Sequence, residues 1–174
     1  MSRPPTGVGS PCRIENPAVN PDLPSGRGFV ALLEAFRATG GTAPGEVVGR
    51  LLEEHRVGNV VSLAKLIYTG QVFGFEWRES LWIPMFQFDA DDLSLKAGVQ
   101  RVRAELPPLA SGWALASWFA GPNERLNGCM PVDMVEADLE AVLGAARVGV
   151  SMGGDVFAPV ATTRRRALEA VAHV

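Results

Sequence analysis

Two histidines, two cysteines, a run of aspartates and scattered serines are the groups in this chain that could do covalent, metal or proton-transfer chemistry. His55 closes an apolar-periodic segment beside Glu53, Glu54 and Arg56. A histidine at a helix C-terminus complements the negative end of the helix dipole, so its placement is explained without catalysis. His173 is one residue from the end of the sequence. No Cys/His grouping has the spacing of metal ligands. Asp89, Asp91 and Asp92 suggest a cation loop, but the glycine and distal glutamate of an EF-hand are missing, and a solvated turn explains them. The glycines within residues 149–154 lack the lysine and following helix of a phosphate-binding loop. Ser62, Ser80, Ser94, Ser111 and Ser117 have no histidine beside them in sequence. Catalysis needs reactive groups that converge. The expectation is a protein with no catalytic residues, no metal and no cofactor.

Composition narrows the setting. A chain of 174 residues, 47% of them hydrophobic, suits one domain or two small lobes sharing a core, without disulfide staples. Cys12 and Cys129 are therefore expected to be a reduced pair, as in a cytoplasmic protein. A net charge of −3 advertises neither a broad basic field for nucleic acid nor an acidic field that mimics it. No apolar run reaches the ~20 residues of a membrane span. The N-terminus is proline-rich and lacks the apolar segment of a secretory signal. These features point to a cytoplasmic protein with no membrane partner.

Residues 1–27 hold six of the thirteen prolines and read as an extended or disordered leader: either a tail without function or an arm that wraps a neighbouring subunit. Phe29, Leu32, Leu33 and Phe36 recur at helical spacing and predict a helix over 28–39, stopped by Gly40-Gly41. Thr42 is placed to cap a second helix with Pro44 in its first turn and Val47, Val48, Leu51 and Leu52 on its apolar face. Gly58-Asn59 breaks it. Residues 60–69 predict a third helix with Val60, Leu63, Ala64 and Ile67 inward. The period then changes from helical to alternating. Residues 72–78 and 81–88, joined by a turn at Glu79-Ser80, read as an aromatic-rich β-hairpin, with Pro84 marking its second strand as an edge or a bulge. One face of this hairpin must be covered, and the tryptophan helix that follows is the expected cover. Residues 89–92 read as a turn, 95–106 as a helix closed by Pro107-Pro108, and 149–174 as a flexible tail with a short last helix. The fold class is mainly α with one β-hairpin (α+β).

Two short helices followed by a hairpin have the layout of a winged helix-turn-helix. On that reading the DNA-binding residues are Ser62, Lys65, Tyr68 and Thr69 of the third helix and Arg78 at the hairpin tip. The competing reading is a helical scaffold packed on the hairpin, with Lys65 and Arg78 as ordinary surface charges. Glu53 and Glu54 beside the turn repel phosphate, and a polyanion calls for more positive charge than this stretch supplies.

The stretch from Ser111 to Val135 is the most distinctive. Trp113 and Trp118 lie on one helix, with Leu115, Trp118 and Phe119 expected to face inward. Gly121-Pro122-Asn123 breaks that helix, because proline disfavours helical backbone in the residue before it. Leu126-Asn127-Gly128 ends a single helical turn, and Pro131 starts the next helix. Asn123 is expected to cap the turn with its amide. Together with Pro84-Met85-Phe86-Gln87-Phe88 before it and residues 138–146 after it, this pattern resembles the toxin-binding domain of the Xre/MbcA/ParS antitoxin family over residues 86–148. Cys129-Met130 stand where that family often has a second glycine or a charged residue.

The resemblance implies a non-catalytic bacterial partner that binds and neutralises a cognate toxin, often of the NAD-consuming RES type. Family members also commonly dimerise and bind their own promoter, which would make operator DNA and a second copy of the chain partners too. It implies a toxin-binding face at Trp113, Trp118, Phe119, Pro122, Asn123, Leu126, Gly128 and Pro131, helped by the tail beyond Val148. The domain division is then a leader at 1–27, a winged-helix-like lobe at 28–94, a toxin-binding lobe at 95–148 and the tail. Two alternatives stay open: a stand-alone DNA-binding transcription regulator, and a non-catalytic structural subunit of a bacterial assembly.

Overall fold

The computed structural model describes residues 24–55, 62–108 and 110–151. The proline-rich leader before Pro24, the Gly58-Asn59 break, Val60 and the tail beyond Ser151 lie outside the described residues. The fold is helix-rich with a small β element, as the sequence pattern predicts; the sheet has three antiparallel strands where the pattern suggests only a hairpin.

The described residues open with α1 (Gly26–Phe36), whose N-cap Ser25 accepts a hydrogen bond from the Gly28 N–H. A 3-10 turn, Arg37–Thr39, follows, and Gly40 and Gly41 at φ 101° and 75° reverse the chain. Only glycine takes such angles without strain. The next segment corrects the sequence reading. Thr42–Pro44 is not a helix start but a strand, β1, and α2 (Gly45–His55) begins after it. The Gly41 carbonyl accepts from Met85 N at 2.9 Å, which aligns the three residues on the third strand. Pro44 is tolerated there because β1 is an edge strand.

After α2 comes α3 (Leu63–Tyr68), capped by Ser62. Leu63 and Leu66 are its buried residues. The hairpin is β2 (Phe75–Trp77) and β3 (Ser80–Pro84), shorter than the pattern suggests. Its turn is Arg78-Glu79, one residue earlier than expected, because Trp77 pairs with Ser80. Both turn residues have positive φ, as a tight two-residue hairpin requires. The sheet order is β1-β3-β2, so β3 is central and not an edge. Pro84 is accommodated because it is the last residue of β3; the chain then tightens into the 3-10 turn Met85–Gln87.

Gln87 stabilises that turn. It is buried, and its Oε1 accepts from Phe73 N at 2.9 Å while its Nε2 donates to the carbonyls of Phe73 at 2.8 Å and Pro84 at 2.9 Å. One side-chain amide thus replaces the strand partner that Phe73 lacks, and no buried amide group of Gln87 is left unpaired.

The sheet is covered on both sides. Phe75 and Trp82, paired across the hairpin, face α1 and α5 (Gly112–Ala120). Leu81 and Ile83 face α2 and α3, where Val48, Leu52, Leu63, Leu66, Val72 and Phe88 complete a smaller core. The larger core continues from α1 and α5 into α4 (Ala97–Glu105), α6 (Pro131–Met134) and α7 (Leu139–Ser151). Residues on both sides of 94/95 therefore share one core. The helix α7 runs through Ser151, so residues 149–151 are helical where the glycine content suggests a loop. Ion pairs tie α4 and the residue before it to α7 and the residues before it: Lys96 with Glu136, Arg101 with Glu140 at 2.9 Å, and Arg147 with Glu105 at 2.9 Å. The hydrogen bond from Arg147 to the Glu105 carboxylate, and then the charge of that carboxylate, hold the guanidinium pKa above its ordinary value.

The expected cover of the hairpin is present. Phe75 meets Trp113 edge-on at 5.6 Å, Phe73 stacks on Phe119 at 5.6 Å, and Phe86 lies 4.9 Å from Phe119. The two elements approach so closely that a Cβ on Gly112 would lie 1.7 Å from the Gly74 carbonyl oxygen.

Candidate functional site

The corner between α5 and α6 is built by the residues that set it apart in sequence. Ser111 caps α5 by accepting from Ala114 N at 3.1 Å. The helix ends at Ala120, Gly121 turns extended, and exposed Pro122 leads out. Asn123 then organises the loop. Its Oδ1 accepts from Arg125 N at 3.0 Å, and its backbone carbonyl accepts from Leu126 N at 3.0 Å and Gly128 N at 2.9 Å. Its own N–H donates to the Cys129 carbonyl at 3.0 Å, which closes the corner into a ring. Glu124–Leu126 forms the single helical turn, and Asn127 at φ 54° with Gly128 at φ 82° stops it. Pro131 starts α6. The expected capping by Asn123 and the Asn-Gly stop are both observed.

Burial redistributes the proposed contact residues. Phe119 is 0% exposed, Leu126 3% and Trp113 6%, and Pro131 is buried too. These four are packed inside the core and present no side-chain surface to a partner as folded. The idea that Leu126 offers an apolar contact is corrected: it is packed in the larger core, so Leu126→Asp would test folding and not binding. Trp118 is half-buried, edge-on to Phe119 at 4.9 Å, and Asn123 is half-buried. Pro122 and Gly128 are exposed, and so are Glu124, Arg125 and Asn127, which the sequence reading passed over. The outer rim is therefore Pro122, Glu124, Arg125, Asn127 and Gly128. Their signal was the φ > 0 stop itself, which puts neighbouring side chains on the outside of a tight turn.

Cys129 is in a disulfide, contrary to the expected reduced thiols. The only other cysteine in the sequence is Cys12, which lies outside the described residues. A large core lowers the need for a staple but does not forbid one.

The second candidate surface is α3. Ser62, Lys65, Tyr68 and Thr69 are all exposed, Tyr68 at 61%. Two of these hydroxyls are committed to the backbone: Ser62 Oγ accepts from Lys65 N at 3.3 Å, and Thr69 Oγ1 donates to the Lys65 carbonyl at 2.9 Å. The Arg78 guanidinium lies 5.6 Å from the centroid of the Trp77 ring, on the face of the sheet where Phe29 stacks on Trp77 at 5.0 Å. The helix α3 packs on the opposite face, with Leu81 and Ile83. The structure does not bring Arg78 and the α3 residues onto one face.

The groups with chemistry to offer stay dispersed. His55 is exposed, with Nδ1 3.0 Å from the Leu51 carbonyl. Asp89 and Asp92 fold back on their own loop, accepting from Asp91 N at 2.9 Å and Ser94 N at 2.8 Å. Among the described residues no three His, Cys, Asp or Glu side chains gather as a metal site, and no helix is long and apolar enough to cross a membrane. Among the described residues, the buried Trp82 Nε1 and Ser117 Oγ have no hydrogen-bond partner.

Fold and site together define a helix-rich α+β domain that carries a rigid, polar-rimmed corner on an aromatic core. Comparison with family models, curated proteins and solved structures finds no match to this chain.

Proposed function

We propose that this chain is a non-catalytic, antitoxin-like binding protein whose partner, a cognate toxin, docks on the α5–α6 corner. The observation that carries the reading is the hydrogen-bonded ring from Asn123 to Cys129, which holds Pro122, Glu124, Arg125, Asn127 and Gly128 outward on a fully packed base. A preorganised rim loses little entropy when it binds, which favours specific protein recognition. Of these residues Pro122, Asn123 and Gly128 also belong to the pattern that resembles the Xre/MbcA/ParS toxin-binding domain. An NAD-consuming toxin of the RES type is the partner that this resemblance implies. Co-expression with the product of the adjacent gene tests it: the full chain should restore growth and co-purify.

A second reading is favoured by a separate observation. The order α1-β1-α2-α3-β2-β3 with sheet order β1-β3-β2 is that of a winged helix. The chain would then bind operator DNA, alone or as an autoregulating dimer, through Lys65, Tyr68 and the α3 surface. Against it, α1 sits with the aromatic face and α5 rather than with α2 and α3. Lys65→Ala should flatten the salt dependence of binding by about one unit if Lys65 neutralises a phosphate. Absence of a mobility shift at low salt would remove this reading and leave the first intact.

A further inference from the structure

Asn127 and Gly128 stop the helical turn of the corner, and the same pair can react with itself. Asn16 and Asn20 precede prolines, which have no N–H, Asn59 precedes Val60 and Asn123 precedes Glu124; only Asn127 precedes a glycine. A glycine nitrogen is the least hindered backbone nucleophile, because no side chain shields it. The electrophile nearest to it in the chain is the side-chain amide of the residue before. Asn127 and Gly128 are both exposed, and a Cβ on Gly128 would meet nothing within 4 Å, so water reaches this peptide bond. Asparagine tolerates the left-handed backbone that the stop requires, which explains why the turn carries a reactive pair at all.

The folded corner holds the reaction off in two ways. Asn127 sits at φ 54° and ψ 37°. At that ψ the Gly128 nitrogen lies nearly opposite Cβ about the Cα–C bond, whereas a ring can close only when the two are on the same side. The Gly128 N–H also donates to the Asn123 carbonyl at 2.9 Å, and the Cys129 N–H that follows donates to the Leu126 carbonyl at 3.0 Å. Rotation about ψ of Asn127 breaks the first of these bonds and displaces the second. Attack therefore requires local opening of the corner, though not unfolding of the core beneath it.

We infer that Asn127-Gly128 is a self-modification site, protected while the corner is closed and deamidated when the corner opens. The Gly128 nitrogen gives its proton to a solvent base and attacks the side-chain carbonyl carbon of Asn127. A C–N bond forms there and the bond to the side-chain nitrogen breaks. That nitrogen takes up a proton and leaves as ammonia, and a five-membered succinimide remains. Water then adds to one of the two succinimide carbonyls and opens the ring. One opening leaves an aspartate with the backbone unchanged. The other leaves an isoaspartate, whose main chain is longer by one carbon. Either product adds a negative charge to a rim that already carries Glu124. The longer main chain also shifts the register of the bonds between Asn123 and Gly128 and between Asn123 and Cys129. That conversion would weaken partner docking rests on the proposed function of the corner; the reaction and its protection do not.

The test needs no partner. The full chain is incubated in mildly alkaline buffer, folded and in denaturing urea, and sampled over time. Peptides are mapped for the mass gain that marks conversion of an amide to an acid, and isoaspartate is read by methyl transfer from an isoaspartate-specific methyltransferase. Asn127→Gly, which keeps a backbone able to take positive φ and removes the side-chain amide, is the unreactive control. In urea, conversion should be fastest at residue 127, with isoaspartate among the products, and absent from that position in Asn127→Gly. In the folded chain it should be slower by on the order of tenfold or more, since a hydrogen bond must break and ψ must rotate before attack. Slower conversion at residue 127 than at Asn59 or Asn123 in urea would overturn the assignment of the site. Equal rates at residue 127 with and without urea would overturn its protection by the corner.

Discussion

Replacing Gln87 by leucine removes the amide that completes the backbone of Phe73, while nearly keeping the volume. The magnitude follows from what is left behind. The Phe73 N–H and carbonyl, paired with Gln87 at 2.9 and 2.8 Å, would both lose that partner at a buried position. Each orphaned buried group costs about 1–3 kcal/mol, and the apolar side chain recovers part of it, so a net loss of ~3 kcal/mol is expected. For a chain of this size that lowers Tm by roughly 6–12 °C. Gln87→Glu separates hydrogen bonding from packing. Its carboxylate would face the carbonyls of Phe73 and Pro84, so its folded-state pKa would rise above the ordinary value of about 4.3. A raised carboxyl pKa means the folded state holds the proton more tightly, so this variant loses stability as pH rises from ~4 to 7. Urea unfolding of both variants at several pH values reads the effect. Stability within ~0.5 kcal/mol of the parent for Gln87→Leu would refute the claim that this amide substitutes for a strand partner.

Four further outcomes follow from the packing. Gly112→Ala should cost more than ~3 kcal/mol or prevent folding, because its Cβ would collide with the Gly74 carbonyl, whereas Gly144→Ala on the open face of α7 should gain ~0.5–1 kcal/mol; thermal melts of the pair check both. Phe86→Ala should lose ~3–5 kcal/mol in chemical unfolding, since that ring is buried against Phe36, Phe73 and Phe119. Trp77→Ala, at the half-buried rim, should lose clearly less in the same assay.

The parts of the fold legible in sequence were those written as local punctuation. Pro122-Asn123, Asn127-Gly128 and Pro131 each restrict the backbone by their own chemistry, and each acts where it was expected. The strand Thr42–Pro44 was not legible. Thr followed by Pro reads equally as a helix cap with its first turn, and only pairing with β3 decides between them. The hairpin turn was misplaced because Arg78 and Glu79 adopt positive φ without glycine or asparagine to announce it. At the site, spacing identified the corner but could not say which side faces the core. Leu126 is an apolar residue in a one-turn helix, and its burial depends on how the turn packs beside α7. Glu124, Arg125 and Asn127 look like loop filler until the ring around Asn123 turns them outward. The disulfide at Cys129 is not announced by the residues around it.

The central claim is that the outer rim of the α5–α6 corner meets a protein partner. Arg125 tests it most directly, because its side chain is exposed while its backbone N–H, which the ring requires, survives substitution. The full chain and Arg125→Glu are each co-expressed with the product of the adjacent gene, scored by growth and by co-purification, with Tm measured alongside. The parent should restore growth and co-purify, and Arg125→Glu should lose both at an unchanged Tm. No rescue and no co-purification by the parent itself would contradict it.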